Sequence, residues 1–253
     1  MSRSVRPVRT FKGQDGFTLV EMMVGLTLGL VITASMLLLF ANVALRGQDI
    51  QRTGTQIENG RYVSEMLRED LRLAGFYGET SVAGAIYTQP DPCSTAPTGW
   101  GGAPLTLPAA VQGYAAADVL ACLDHRKAGT DALVVRRVGI APVNPATLPG
   151  GNAQYYVQYS YCAVDVASPR LIFGNDRSIF TLRDRACAAP NLVRPYVTRI
   201  YYVSSCNICD GAGDGVSTLK RTELIGAQLT TTALSDGIEA MRLEYGFDLD
   251  GDG

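Results

Sequence analysis

The sequence predicts an α+β protein in which a long amino-terminal helix, apolar enough to cross a membrane, packs on a disulfide-braced antiparallel β-sheet head. Three observations carry that expectation. Residues 22–45 hold no charge, no proline falls between residues 17 and 89 while eleven of the twelve lie between 90 and 195, and short runs rich in Val, Ile, Tyr and Thr follow residue 130. At 253 residues, 47% hydrophobic and 18% charged, with mean hydropathy +0.09, the chain is neither disordered nor polytopic and can bury a core. Its 22 basic and 24 acidic residues form no long block of one sign, so nothing electrostatic argues for nucleic-acid binding. A single histidine argues against His-rich metal centres and imidazole catalysis.

The uncharged run has only Thr27, Thr33, Ser35 and Asn42 as polar side chains. As a helix it would rise about 36 Å, against a hydrocarbon core of about 30 Å. Arg3, Arg6, Arg9 and Lys12 precede it against the lone Asp15, a bias that keeps the start cytoplasmic and sends everything after Leu45 to the periplasmic or extracellular side. Six cysteines suit that oxidising side. A cleaved secretory signal is a poorer description: the run exceeds the usual 7–15 residues, no clear small-x-small site follows it, and helical character continues. An uncleaved signal anchor stays open, but neither option accounts for Glu21, because an ionisable group deep in a bilayer costs about 2.5–3.5 kcal/mol.

Lys12-Gly13-Gln14-Asp15-Gly16 followed by Phe17-Thr18-Leu19-Val20-Glu21 resembles the class III signal of type IV pilins and pseudopilins. The resemblance implies that residues 1–16 are a leader, that a prepilin peptidase cuts between Gly16 and Phe17 and methylates the Phe17 amine, and that residues 17–45 remain as a transmembrane and assembly helix in inner-membrane lipid. Elementary electrostatics supplies a reason for Glu21: a carboxylate in the first turn is favoured by the helix dipole and can neutralise a newly freed amine. In the family that amine belongs to a neighbouring subunit. The alternative is a carboxylate that merely snorkels to the interface. Gly25 and Gly29, four apart and near Thr27 and Thr33, suit close helix packing, although two glycines equally suit helix flexibility or chance.

Residues 46–75 continue as an amphipathic helix. Ile50, Ile57, Val63, Met66, Leu67, Leu71 and Ala74 recur mostly at helical spacing, leaving Arg52, Glu58, Arg61, Glu65, Arg68, Glu69, Asp70 and Arg72 for other faces. Gly47, Gly54 and Gly60 invite a bend or local melting, and Gly75 is the expected terminator. Residues 76–253 form the expected head. Strands are predicted over 132–140, 154–164, 178–182, 196–203 and 217–225, and the clearest alternation, Met241, Leu243, Tyr245 and Phe247 against Arg242, Glu244 and Gly246, predicts one over 238–247. Residues 76–130, rich in Pro, Gly and Ala, read as an elaborate loop region.

Cys93, Cys122, Cys162, Cys187, Cys206 and Cys209 allow fifteen full pairings, among which the sequence does not choose. Pairing of neighbours is the expectation adopted: Cys93 with Cys122, Cys162 with Cys187, and Cys206 with Cys209. A redox reading of Cys206-Asn207-Ile208-Cys209 lacks the βαβ setting of such motifs, and a zinc reading lacks a second closely spaced pair. Asp248, Asp250 and Asp252, alternating with Gly251 and Gly253, match the first half of a calcium loop; the alternative is a polar turn. No phosphate loop, His-Glu-x-x-His or nucleophile elbow occurs, so the expectation is a protein that is not an enzyme and needs no cofactor, calcium at Asp248, Asp250 and Asp252 being the one exception.

Glu58-Asn59-Gly60-Arg61-Tyr62, Leu67 to Phe76, Gly129 to Arg137 and Thr218-Leu219-Lys220-Arg221 are similar to segments of PilW-type minor pilins. This finer resemblance implies an inner-membrane precursor with a periplasmic head, which joins other minor pilins to prime a type IV pilus near the fibre tip. Its implied partners are prepilin peptidase, other minor pilins, the major pilin and an adhesin at the tip. Two rivals stand beside it: a J-type minor pseudopilin of type II secretion, and a signal-anchored periplasmic enzyme or receptor.

Overall fold

A computed structural model of the chain describes residues 16–78, 82, 84–102, 104–149, 154–165 and 170–246. The chain divides into two compact units, one ending at Thr55 and the other beginning at Gln56. One helix, α1, spans Leu19–Leu73. Gly47, Gly54 and Gly60, which weaken helix, all lie within its bounds, so none of them melts a turn. The helix stops where expected, because Gly75 takes φ +74°, its N–H bonds the Arg136 carbonyl at 3.0 Å, and an added Cβ would stand 3.1 Å from that of Ala110.

After the helix come β1 (Ile86–Thr88), β2 (Thr106–Pro108), β3 (Val111–Tyr114), β4 (Ala132–Val138), β5 (Tyr156–Tyr159), β6 (Leu171–Gly174), β7 (Val193–Ser204), β8 (Thr218–Ile225) and β9 (Gln228–Asp236). β1 and β2 form a small parallel pair, and the other strands form one antiparallel sheet around β7. One edge of β7 is taken by β4, and the bond from the Gly139 N–H to the Pro195 carbonyl and the Val143–Val193 bridge extend that edge. Along its opposite edge β7 meets first β5, over residues 193–195, and then β8, over residues 199–204. Gln154 spans the change of neighbour, giving its amide N–H to the Tyr196 carbonyl at 2.9 Å.

Four expectations are corrected. Residues 178–182 hold no strand: Asp176 caps a 3-10 turn at Arg177–Ile179. Residues 76–130 are not loop alone but contain β1, β2 and β3. β6 and β9 were not anticipated, since Leu171–Gly174 is short and Gln228–Asp236 mixes Thr and Leu without marked alternation. Residues 238–246 join no ladder. The alternation holds only in part: Met241 and Leu243 turn onto the core, Tyr245 is exposed and Phe247 lies outside the described residues, while Asp131 holds the segment through its N–H to the Met241 carbonyl and its carboxylate to the Leu243 N–H, each at 2.9 Å.

The apolar stretches 132–135 in β4 and 200–203 in β7 are continuous because both sheet faces are covered. On one face Leu133, Val135, Tyr201, Val203 and Leu219 meet Val63, Met66, Leu67 and Ala74 of the last helical turns. On the other, Ala132, Val134, Ile200 and Tyr202 lie under Tyr114, Leu120, Cys122 and Leu123. Arg136, 1% exposed, ties this cover to the sheet by donating to the carbonyls of Pro90 and Ala109 and to the Gln112 side chain. The expected helix stripe is therefore only half used: Ile50, Ile57 and Leu71 stay exposed.

Asp70 reverses its expected place, since it is 4% exposed rather than on a solvated face. It accepts from Arg199 Nη1 at 2.7 and 2.9 Å and from the Tyr201 hydroxyl, with Arg137 Nη2 at 3.5 Å. Arg199 also donates through Nε to Glu223 at 3.1 Å, and Glu223 meets Arg221 at 3.3 Å. Burial works to raise the Asp70 pKa, but the bonds from Arg199 and Tyr201 and the charges of Arg199 and Arg137 outweigh it and hold it below 3.8. A depressed carboxylate stabilises the fold above its unfolded pKa and stops doing so as pH falls through the folded value. Chemical denaturation of Asp70→Ala at neutral pH should show a loss of about 3–5 kcal/mol, because Arg137 and Arg199 lose the buried carboxylate they share and only Glu223 still faces Arg199. Below pH 3.8 that difference should shrink; a pH-independent gap would deny the ion pair its role.

Candidate functional site

The helix start is built by a reciprocal cap. Thr18 precedes the first helical residue, its Oγ1 accepts from the Glu21 N–H at 3.3 Å, and the Glu21 carboxylate accepts from the Thr18 N–H at 3.4 Å and from Thr18 Oγ1 at 3.3 Å. This is a capping box, and it positions the carboxylate over the first turn beside Phe17, which is 81% exposed. Gly16 is likewise exposed. Thr18 was not singled out from the sequence, although Thr-x-x-Glu ahead of an apolar run was the available signal.

From Leu19 to Leu45 the large apolar side chains are exposed, and this is the one helix among the described residues long and apolar enough to cross a membrane. Its polar side chains are satisfied within the helix: Thr27 donates to the Val24 carbonyl, Thr33 to Gly29, Ser35 to Val31 and Asn42 to Leu38, all at 2.7–3.0 Å. That is what an apolar solvent demands, since hydrocarbon offers no partner to a bare hydroxyl or amide. Open space surrounds the positions where Gly25 and Gly29 would carry a Cβ, so both offer close approach to the helix backbone.

In the head the cysteines pair as neighbours: Cys93 with Cys122, Cys162 with Cys187, and Cys206 with Cys209. The first anchors the cover over the outer sheet face, and the second ties the end of β5 to the segment before β7. Their separations are 29 and 25 residues, against 3 for the last. In the chain-entropy model the long loops contribute about 3–4 kcal/mol each and the short one about 2 kcal/mol. Urea denaturation should therefore rank the paired Cys→Ser variants, with loss of Cys93–Cys122 costing about 1–2 kcal/mol more than loss of Cys206–Cys209; equal losses would contradict the entropic account.

The Cys206–Cys209 loop has a polar setting. Lys220 Nζ stands 3.1 Å from Cys209 Sγ, and Ser204 Oγ lies 3.8 and 3.7 Å from the two sulfurs. A His125 ring nitrogen lies within 4.8 Å of both sulfurs, and His125 takes φ +56° while its carbonyl accepts from the Ser205 N–H at 2.9 Å. Bonded to each other, the sulfurs are not the thiolates that a soft metal ion requires. Across the loop the Asp214 carboxylate accepts from the N–H groups of Ile208 and Asn207 at 2.9 Å and Val216 at 3.1 Å, and these bonds draw its pKa below 3.8. Lys220 carried no special weight in the sequence; only its place on the outer face of β8 brings it here. Asp248, Asp250 and Asp252 lie outside the described residues.

Residues 11–37 match the family model of the prokaryotic N-terminal methylation motif. No curated protein and no solved structure matches the chain. The motif supports a type IV pilin-like or pseudopilin-like protein, implies processing by a prepilin peptidase and assembly with pilins, and together with the apolar helix fits a membrane anchor.

Proposed function

We propose that this chain is a PilW-type minor pilin that joins other minor pilins to prime a type IV pilus, near the fibre tip. The observation that carries the reading is the methylation motif over residues 11–37. In this reading the cut falls between Gly16 and Phe17, just ahead of a helix whose first turn holds Glu21 and whose residues 22–45 carry no charge. Cutting there removes the basic leader and keeps the helix. A carboxylate has about four acceptor positions, so Glu21 can retain Thr18 and still receive the methylated amine of a neighbouring subunit. In this reading the helix is first a lipid anchor and then part of the fibre core, exchanging lipid for other helices along the face marked by Gly25 and Gly29. The head acts by contact rather than catalysis, selecting other minor pilins, the major pilin and a tip adhesin, with no cofactor required.

Mass spectrometry of the protein from cells with and without prepilin peptidase tests the processing step. A chain starting at methylated Phe17 is expected only where the peptidase is present; a leader retained in both would end the proposal. Glu21→Ala should leave membrane insertion intact while lowering incorporation into sheared pili by at least about tenfold, the loss of one charge pair worth about 1.4 kcal/mol or more in an apolar setting. Undiminished incorporation and partner capture would remove Glu21 from assembly. Co-purification with pilus rather than secretion components separates this role from that of a J-type pseudopilin.

A further inference from the structure

We propose that the Cys206–Cys209 disulfide is a thiol-exchange site that takes dithiols as its substrate class, with Cys209 the sulfur attacked and Lys220 the residue that favours its opening. Access separates the two sulfurs. Cys206 is 3% exposed and is covered by Gly213, whose position for a Cβ lies 3.0 Å from Cys206 Cβ and 3.5 Å from its sulfur. Cys209 is half-buried and follows Ile208, which is 63% exposed. An incoming thiolate therefore reaches Cys209.

Electrostatics separates this bond from the other two. The sulfurs of Cys93 and Cys187 contact the Cys122 N–H and the Arg185 carbonyl; Cys209 Sγ likewise meets a backbone carbonyl, that of Cys206 at 3.2 Å, but has in addition an ammonium at 3.1 Å. A cation at that distance stabilises a thiolate and so favours the open form. The loop is also ready to survive opening: the three N–H groups held by Asp214 keep its shape without the covalent bond. A bond closing so short a loop adds least to stability, which leaves its chemistry as the feature that its surroundings serve.

The step balances as ordinary exchange. A thiolate of the dithiol forms a bond to Cys209 Sγ, the Cys206–Cys209 bond breaks, and Cys206 leaves as a thiolate beside Ser204 and takes a proton from water. The second thiolate of the dithiol then attacks its own mixed disulfide, releasing Cys209 as a thiolate next to Lys220. The dithiol is oxidised to a cyclic disulfide and the protein gains its two electrons. A monothiol stops at the first stage, as an adduct on Cys209.

The oxidised full-length protein, held in detergent, is equilibrated with graded ratios of reduced to oxidised dithiothreitol, quenched in acid, alkylated and mapped by peptide mass spectrometry. Cys206 and Cys209 should be alkylated at a ratio at least about tenfold lower than either other pair, and glutathione should leave its adduct on Cys209. Lys220→Gln should move the midpoint about tenfold toward stronger reductant, and Lys220→Arg should restore it. Joint opening of all three bonds, an adduct on Cys206, or a Lys220→Gln midpoint equal to wild type would each overturn the proposal. If Lys220→Gln does not fold, the wild-type order of opening and the adduct's position decide it.

Discussion

The head depends on one buried carboxylate. Asp70 lies on the last helical turns, among Val63, Met66, Leu67 and Ala74, and meets Arg199 and Tyr201 on β7 and Arg137 on β4. Apolar contact alone is tolerant of sliding, because one methyl group packs nearly as well as its neighbour. A carboxylate that must find a guanidinium and a hydroxyl at once is not. A helix shifted by one residue would leave Asp70 buried without its counter-charge, at a cost of several kcal/mol. The ion pair thus contributes register more than net stability, and Glu223 extends the same demand to β8 through Arg199 and Arg221.

With the helix committed to one sheet face, the other needs its own cover. That is the work of the irregular chain around residues 114–126, which has few strand hydrogen bonds of its own and is held from outside. Cys93–Cys122 and the bonds of Arg126 to the Asp118 and Ala115 carbonyls supply the holding, while Arg136 fixes the neighbouring chain at Pro90 and Ala109. An irregular, alanine-rich segment thereby becomes a packing layer. The two-sided burial in turn explains why β4 tolerates an unbroken apolar run over residues 132–135.

The amino-terminal unit follows a different solvent. Its apolar side chains face outward, and Thr27, Thr33, Ser35 and Asn42 turn their polar atoms back onto helix carbonyls. Glu21 keeps acceptor positions beyond its local bonds to Thr18. Among residues 16–45 it is the one ionisable side chain, which gives it a reason to seek a partner charge.

Local pattern was enough for the helix, its stop at Gly75, the strands at β4, β7 and β8, and the leader motif, because each rests on neighbours within a few residues. Periodicity also showed that Met241 and Leu243 face inward, but it could not tell a strand from an extended segment pinned by Asp131, since the difference is a hydrogen-bonding neighbour remote in the chain. The same limit hid the burial of Asp70, which among Arg68, Glu69 and Arg72 looks like one more solvated charge until Arg199 arrives from 129 residues away. Lys220 beside Cys209 is a second case. Composition and spacing determine the long helix and the most apolar strands; the short and edge strands, and which charges become buried partners, are decided only when the sheet brings distant residues within hydrogen-bond reach, because pairing, Coulomb attraction and desolvation act through space and not along the sequence.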